Sequence, residues 1–212
     1  MAVFTAVLAG VPLTLLLTGA AFGIGVVGGI PLALARRSSH FVPRAIARAI
    51  IELLRGIPPI VWLFFIFFGV GNSIPSIQPL TAAIIGLGII ACAYMAEIYR
   101  GGFSAIGKGQ WEAGEALGMN RSSVLARIIG PQVFRVSVPS GATYAIGLLK
   151  DTSVAYTIGV TELMYYANEQ ARSTSDAIVP FLLAALVYLV MTIPCAWAAR
   201  ALDSRLRKRV AR

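Results

Sequence analysis

Long apolar runs, separated by short basic or polar stretches, set the pattern of the chain. The first run extends over about 7–35, from Val7 to Ala35, and Arg36–Arg37 end it. The second covers about 44–70. Its apolar heart, Ile57–Val70, is short, so the helix is expected to begin earlier and to include Glu52 and Arg55. Leu80–Tyr99 is the third run, about 137–160 the fourth and about 177–201 the fifth, with Lys150–Asp151 interrupting the fourth. A helix needs roughly 20 apolar residues to cross a hydrocarbon core of about 30 Å. The pattern therefore predicts one all-α integral membrane domain over residues 1–212, with five transmembrane helices. The first run is too long for a signal-peptide core and has no basic residue ahead of it, so it reads as a mature span.

Composition agrees with this reading. The chain has 212 residues, 58% of them hydrophobic and only 13% charged, and a mean hydropathy of +0.79. A soluble domain of this size would carry far more charged surface. The net charge of +9 would suit nucleic acid, but the basic residues cluster between apolar runs without interleaved aromatics, which excludes nucleic acid as a partner. Arg36, Arg37, Arg44, Arg48 and Arg55 flank runs one and two; Arg100, Lys108, Arg121, Arg127 and Arg135 lie between runs three and four. Arg200, Arg205, Arg207, Lys208, Arg209 and Arg212 follow run five, so 16 of the 18 basic residues fall on one side of a five-span alternation. Arg172 falls on the other. The positive-inside rule then puts the amino terminus outside and the carboxyl terminus in the cytoplasm. The outer loops are short, with turn residues Asn72, Ser73, Pro75 and Pro79 in one, and Tyr165 and Tyr166 in the other, roughly 162–176.

The polar stretch between runs three and four is the most informative. Residues 104–117 predict a helix that stops at Gly118, where a left-handed conformation is easily adopted. Asn120 is a suitable N-cap for a second helix over 121–129, and Pro131 is expected to keep that helix from simply continuing. The product is a rigid cytoplasmic elbow, about 104–131, with Glu112 and Glu115 exposed.

On these residues the chain resembles the permease subunits of ATP-binding-cassette importers, in the polar amino acid branch. That family carries Glu-Ala-Ala, then Gly six, Ile sixteen and Pro nineteen residues after the Glu. Glu112, Ala113, Gly118, Ile128 and Pro131 are in register. Gly114 departs from the usual Ala and Gly130 from the usual Leu, and both are expected to loosen the elbow. Glu52-Leu53-Leu54-Arg55-Gly56-Ile57-Pro58-Pro59 resembles the start of the family's second span. Leu148 to Ser153, with Ile158 to Leu163, resembles its fourth. The resemblance implies the type I importer permease fold and a multi-pass subunit of a prokaryotic inner (plasma) membrane. It also implies a coupling helix, with Trp111, Glu112, Ala113, Gly114, Glu115, Leu117, Gly118 and Met119 as its ATPase-coupling residues. The partners it implies are a cassette ATPase dimer, a second permease copy or paralogue, an extracytoplasmic substrate-binding protein, and the lipid bilayer. ATP-Mg would sit on the ATPase, and no cofactor on this chain.

Glu97, Lys150, Asp151, Thr152 and Ser153 are the candidate substrate-path or gate residues. Counted from residue 137, Lys150 and Asp151 lie about 18 Å into the fourth span, near the midplane. A charge there costs roughly 2.5–3.5 kcal/mol on insertion scales. Adjacent helical positions do not face each other, so each needs a partner elsewhere or a wet cavity. Three readings stay open: lining the path, hinging a gate, or pairing with Glu52, Arg55 or Glu97.

Other features carry less. Gly23-Ile24-Gly25-Val26-Val27-Gly28 matches a dinucleotide-binding pattern, but it lies inside a span without strand–turn–helix context. Gly25 and Gly29 read better as a helix-packing face. Cys92 and Cys195 read as small buried hydrophobes, and His40 as a solvated loop residue rather than a metal ligand. The sequence has no phosphate-binding loop, metal box or catalytic triad pattern, so the chain reads as a transport subunit and not an enzyme. The rival reading is a secondary transporter or channel driven by an ion gradient through Glu97, Lys150 and Asp151; a third is a membrane-anchored structural protein.

Overall fold

The computed structural model describes residues 2–71, 77–174 and 178–210, with backbone alone for 2, 202 and 205–210. Asn72, Ser73, Pro75 and Arg212, named above, lie outside the described residues, as do positions 175–177 at the edge of the 162–176 loop. Every regular element among the described residues is helical. A short α1 (Ala2–Leu8) leads into α2 (Val11–Arg36), followed by α3 (Phe41–Gly56) and α4 (Pro59–Phe64), which continues as a π-helical stretch through Val70. Then come α5 (Pro79–Ala105), α6 (Lys108–Ala116) and α7 (Arg121–Val124), with a second π-helical stretch over Leu125–Ile129. Last are α8 (Gly130–Asp151), a 3₁₀ segment (Thr152–Ile158), α9 (Leu163–Thr174) and α10 (Ile178–Val210).

Val3–Arg36, Pro79–Ala105 and Ile178–Ala201 are each long and apolar enough to cross a membrane alone. The second run is not one straight span. Its halves, α3 and α4 with its π continuation, meet at 102°, because Pro58 and Pro59 deny the backbone the donors a continuous helix needs. α3 then shows three stripes. Ala47, Ile51 and Leu54 are buried; Val42, Ile46, Ile50 and Leu53 are exposed and apolar; Arg44, Arg48, Glu52 and Arg55 form a charged edge. Such three-way patterning suits a helix at a membrane interface, with one face for protein, one for lipid and one for water.

The fourth run also differs from expectation. Its helix starts at Gly130, not 137, and ends at Asp151. Pro131 does not interrupt the chain: it occupies the first turn of α8, where a missing N–H is tolerated, directly after the wide π turn. Lys150 and Asp151 therefore sit at the far end of α8, roughly 30 Å of helix from its start beside the elbow, where neighbouring Leu148 packs with Leu87 and Ala91 of α5.

The core is built on α2 and α5, which run parallel and touch along most of their length. A Cβ on Gly25 would lie 2.6 Å from Ala91 Cβ, and one on Gly29 would lie 2.7 Å from Met95 Cβ. The expected glycine face thus exists, and its partner is α5. Close backbones bring Tyr99 Oη to donate to the Val26 carbonyl at 2.9 Å and Cys92 Sγ to the Ile24 carbonyl at 3.4 Å. Cys92 is buried as expected. Cys195 is exposed on α10, because there the bilayer, not protein, supplies the apolar surroundings. α8 runs antiparallel to α5, and Tyr94 and Tyr144 stack at 4.8 Å between centroids.

The end of the bundle opposite the elbow is tied by buried polar groups. Glu162 is fully buried; its carboxylate accepts from the Tyr165 amide at 2.9 Å and from Tyr188 Oη at 2.8 Å. Thr14 Oγ1 donates to the Gly10 carbonyl at 3.1 Å and accepts from the Leu163 amide at 3.2 Å. Burying a carboxylate is tolerated only when its lone pairs are met in this way, so Glu162 joins α9 to α10, and Thr14 ties α2 to the start of α9.

Candidate coupling interface

The elbow forms from local rules and then docks on the spans. α5 runs on through Ala105, so the first elbow helix is α6, Lys108–Ala116, shorter than the expected 104–117; the break falls at Ile106–Gly107. Past its end, Gly118 takes φ +72°, where its amide bonds the Glu115 carbonyl at 2.9 Å and the Met119 amide bonds the Gly114 carbonyl at 3.1 Å. This is the glycine helix stop that closes orphan carbonyls. Asn120 Oδ1 then accepts from the Ser123 amide at 2.8 Å, capping the next helix.

Two faces of α6 separate cleanly. Trp111 and Met119 pack with Phe103, Val124, Ile129 and Val133 in a small core that joins the elbow to α5 and α8. Gly114 is buried against Val124; a Cβ there would meet Val124 Cγ2 at 2.6 Å. Glu112, Ala113, Glu115, Leu117 and Gly118 are exposed, Leu117 by 78%. Of the expected coupling residues, Trp111, Gly114 and Met119 thus hold the elbow, while the others form its outward face. Gln132 donates to Gln110 Oε1 at 3.1 Å, a second strut between α8 and α6. Arg37, just past α2, lies over the Phe103 ring at 4.3 Å.

The two departures from the expected signature tighten the elbow rather than loosen it. Gly114 lets α6 sit on Val124. Gly130 ends the π stretch where a Cβ would be 2.9 Å from the Leu125 carbonyl oxygen. In both places the absent side chain is what allows contact.

Glu97 is the centre of an ionic hub. Its carboxylate lies 3.0 Å from Arg36 Nε, 2.9 Å from Arg100 Nε and 4.0 Å from Arg55 Nη1, joining α2, α3 and α5. Arg55 also lies over the Tyr94 ring at 4.9 Å. The partners expected for Lys150 and Asp151 are therefore engaged elsewhere: Glu52 pairs with Arg48 at 2.8 Å. Among the described residues no ion pair joins Lys150 or Asp151 to Glu52, Arg55 or Glu97. Lys150 and Ser153 instead face a cavity of about 550 Å³, against Tyr188 and Thr192 of α10. Thr152 is fully buried, and its hydroxyl donates to the Leu149 carbonyl at 2.8 Å.

Residues 25–208 match the family described as binding-protein-dependent transport system inner membrane components. The chain belongs to that family. It is a permease component of a binding-protein-dependent ABC importer, multi-pass in the inner membrane, and the ion-gradient reading falls away. The chain is 36% identical over 193 residues to the probable amino-acid permease protein YxeN of Bacillus subtilis, covering 90% of this permease and 86% of that protein. It is 34% identical over 203 residues to the L-cystine transport system permease protein TcyB of Bacillus subtilis, covering 95% and 85%. A solved amino acid ABC transporter crystallised with histidines superposes with a TM-score of 0.87 at 31% identity, over 95% of this permease and 94% of that chain. The methionine transporter MetNI, facing inward, shares the fold with a TM-score of 0.71 at 21% identity.

Proposed function

We propose that this permease carries a polar amino acid inward, with its amino terminus outside and its carboxyl terminus in the cytoplasm. The elbow takes up the motion of a separate cassette ATPase dimer, which holds ATP-Mg. Two permease copies, or this chain with a paralogue, enclose the path, and an extracytoplasmic binding protein delivers the amino acid. The relatives named as amino-acid permeases support the substrate class, and the lopsided basic residues support the orientation. The observation that carries the reading is the outward face of α6, with Glu112, Glu115 and Leu117 exposed on a helix locked from behind by Trp111, Gly114 and Met119. A face that projects charge and an apolar tip from a stiff base suits a cleft in another protein and transmits displacement without absorbing it.

Swinging a two-state path from 1:99 to 99:1 needs about 5.5 kcal/mol of differential binding, which the ATPase supplies through this contact. Lys150 and Ser153, facing their shared cavity, are the path or gate residues in this reading, while Thr152 supports them from behind. A tagged permease should co-purify with the ATPase, and Glu112→Arg should weaken that association while leaving the permease folded. Equal ATPase recovery with Glu112→Arg and with Leu117→Asp, both properly inserted, would refute the role of α6.

A further inference from the structure

Three arginines at the cytoplasmic edge share one cavity. Arg36, Arg48, Arg55 and Arg100 each have a carboxylate within 4.0 Å. Arg37, Arg44 and Arg121 have no carboxylate so close among the described residues, Arg37 lying over the Phe103 ring and Arg44 donating to the Ser38 carbonyl at 3.4 Å. All three line one cavity of about 550 Å³ between the α2–α3 corner and the elbow. Ser38, Ser39 and Ser122 line it too, and no acidic side chain does. Burial and, after it, the nearby Arg121 guanidinium push the Arg37 pKa down, so the like charges meet without a counter-charge beside them.

What adjoins this cavity points to the kind of anion. Leu34 and Leu125 are shared between it and an apolar groove of about 300 Å³ between α2, α5 and α8. Tyr99 and Phe134 carry that groove into a second of about 320 Å³, which reaches Phe22. From Arg37 back to Phe22 is 15 residues of α2, about 22 Å of rise, more than enough to lodge an acyl chain through a leaflet whose apolar half is about 15 Å deep. A free phosphate needs only the arginines. An apolar trough opening onto them matches a molecule with a charged head and a long tail.

We infer that this groove and its arginine pocket form a binding site for one anionic phospholipid of the cytoplasmic leaflet. The phosphate sits among Arg37, Arg44 and Arg121, and an acyl chain lies along α2 past Leu34 and Leu125. A basic pocket between spans on the cytoplasmic side is a recognised way to hold acidic headgroups. The leaflet rests on the orientation proposed above, whereas the groove and its arginine pocket do not depend on the transport reading. It would place a lipid directly between the elbow and α2.

The test is lipid retention by the permease with its co-purifying subunits, in nanodiscs of mixed phosphatidylglycerol and phosphatidylcholine, read by native mass spectrometry after release into detergent. Wild type should retain phosphatidylglycerol selectively. Each of Arg37→Gln, Arg44→Gln and Arg121→Gln should lower that selectivity about fivefold, the equivalent of roughly 1 kcal/mol per arginine. Ala126→Phe, which fills the groove and leaves the arginines intact, should lower it as well. Arg48→Gln, outside the pocket, should not. Unchanged selectivity in the three arginine variants would overturn the site. So would equal loss with Arg48→Gln, which would mean only diffuse charge. Displacement of the lipid by excess inorganic phosphate, with Ala126→Phe silent, would assign the pocket to a free anion. Selectivity present without the ATPase and absent with it would assign the pocket to the partner protein.

Discussion

Gly114 and Val124 are in contact across the elbow so closely that a single added methyl on Gly114 would lie 2.6 Å from Val124 Cγ2. The pair fixes the angle between α6 and α7, and hence where the outward face of α6 points. Gly114→Ala should destabilise the elbow by about 1–3 kcal/mol, the usual range for overpacking a filled site. Val124→Ala, which removes the crowded methyl groups, should restore part of the loss in the double variant. Recovery of co-purified ATPase and resistance of the elbow to protease would follow the cycle. Purely additive losses would separate the two residues.

Gly118 holds φ +72° with no atom within 4 Å of where a Cβ would stand. The space is open, so only backbone strain opposes a side chain. Gly118→Ala should cost roughly 1–2 kcal/mol, and Gly118→Asn should cost less because Asn tolerates this conformation. The measurement is binding-protein-stimulated ATP hydrolysis in proteoliposomes, with Ala lower than Asn and Asn lower than wild type.

Glu97 is 16% exposed and gathers arginines from three helices. Glu97→Gln would leave Arg36, Arg55 and Arg100 facing one another without a carboxylate. A loss of about 1.5–3 kcal/mol follows from removing a charged hydrogen-bond partner, seen as a lower midpoint of thermal unfolding in detergent. A structural hub also implies that the pH profile of transport keeps its shape in this variant. A displaced profile would restore a proton-carrying role.

Gly25 and Gly23 stand two residues apart on α2 with opposite surroundings. A Cβ at Gly25 would clash with Ala91, whereas one at Gly23 meets nothing within 4 Å. Gly25→Ala should therefore separate α2 from α5 and lower the yield of folded permease by an amount consistent with about 1–3 kcal/mol. Gly23→Ala should be neutral or stabilising by up to about 1 kcal/mol through reduced backbone entropy. Size-exclusion profiles of the two variants in the same detergent distinguish them.

How far the sequence reached depends on the range of the interaction concerned. Gly118 as helix stop and Asn120 as cap were legible because both act on backbone groups within five residues. Gly25 and Gly29 were legible as a packing face because their spacing is a property of one helix, although that α5 is the partner was not. Glu162 falls in the Ile158–Leu163 stretch that carries the family resemblance, but its burial was not legible. Nothing in its neighbourhood along the chain distinguishes a loop carboxylate from one enclosed by Tyr188 and the backbone of α9.

By itself the sequence determined the membrane class, the helical character, the side bearing the basic residues and the elbow with its glycine stop, because hydropathy, charge and capping are written in consecutive residues. Tertiary structure decided the rest. The 102° bend between α3 and α4, the placement of Lys150 and Asp151 at the end of α8, the neutralisation of Glu97 by three arginines and the fit of Gly114 on Val124 all join residues distant in the chain or set by packing. A pair that meets only after folding leaves no periodic trace, since either partner alone satisfies the same local rules.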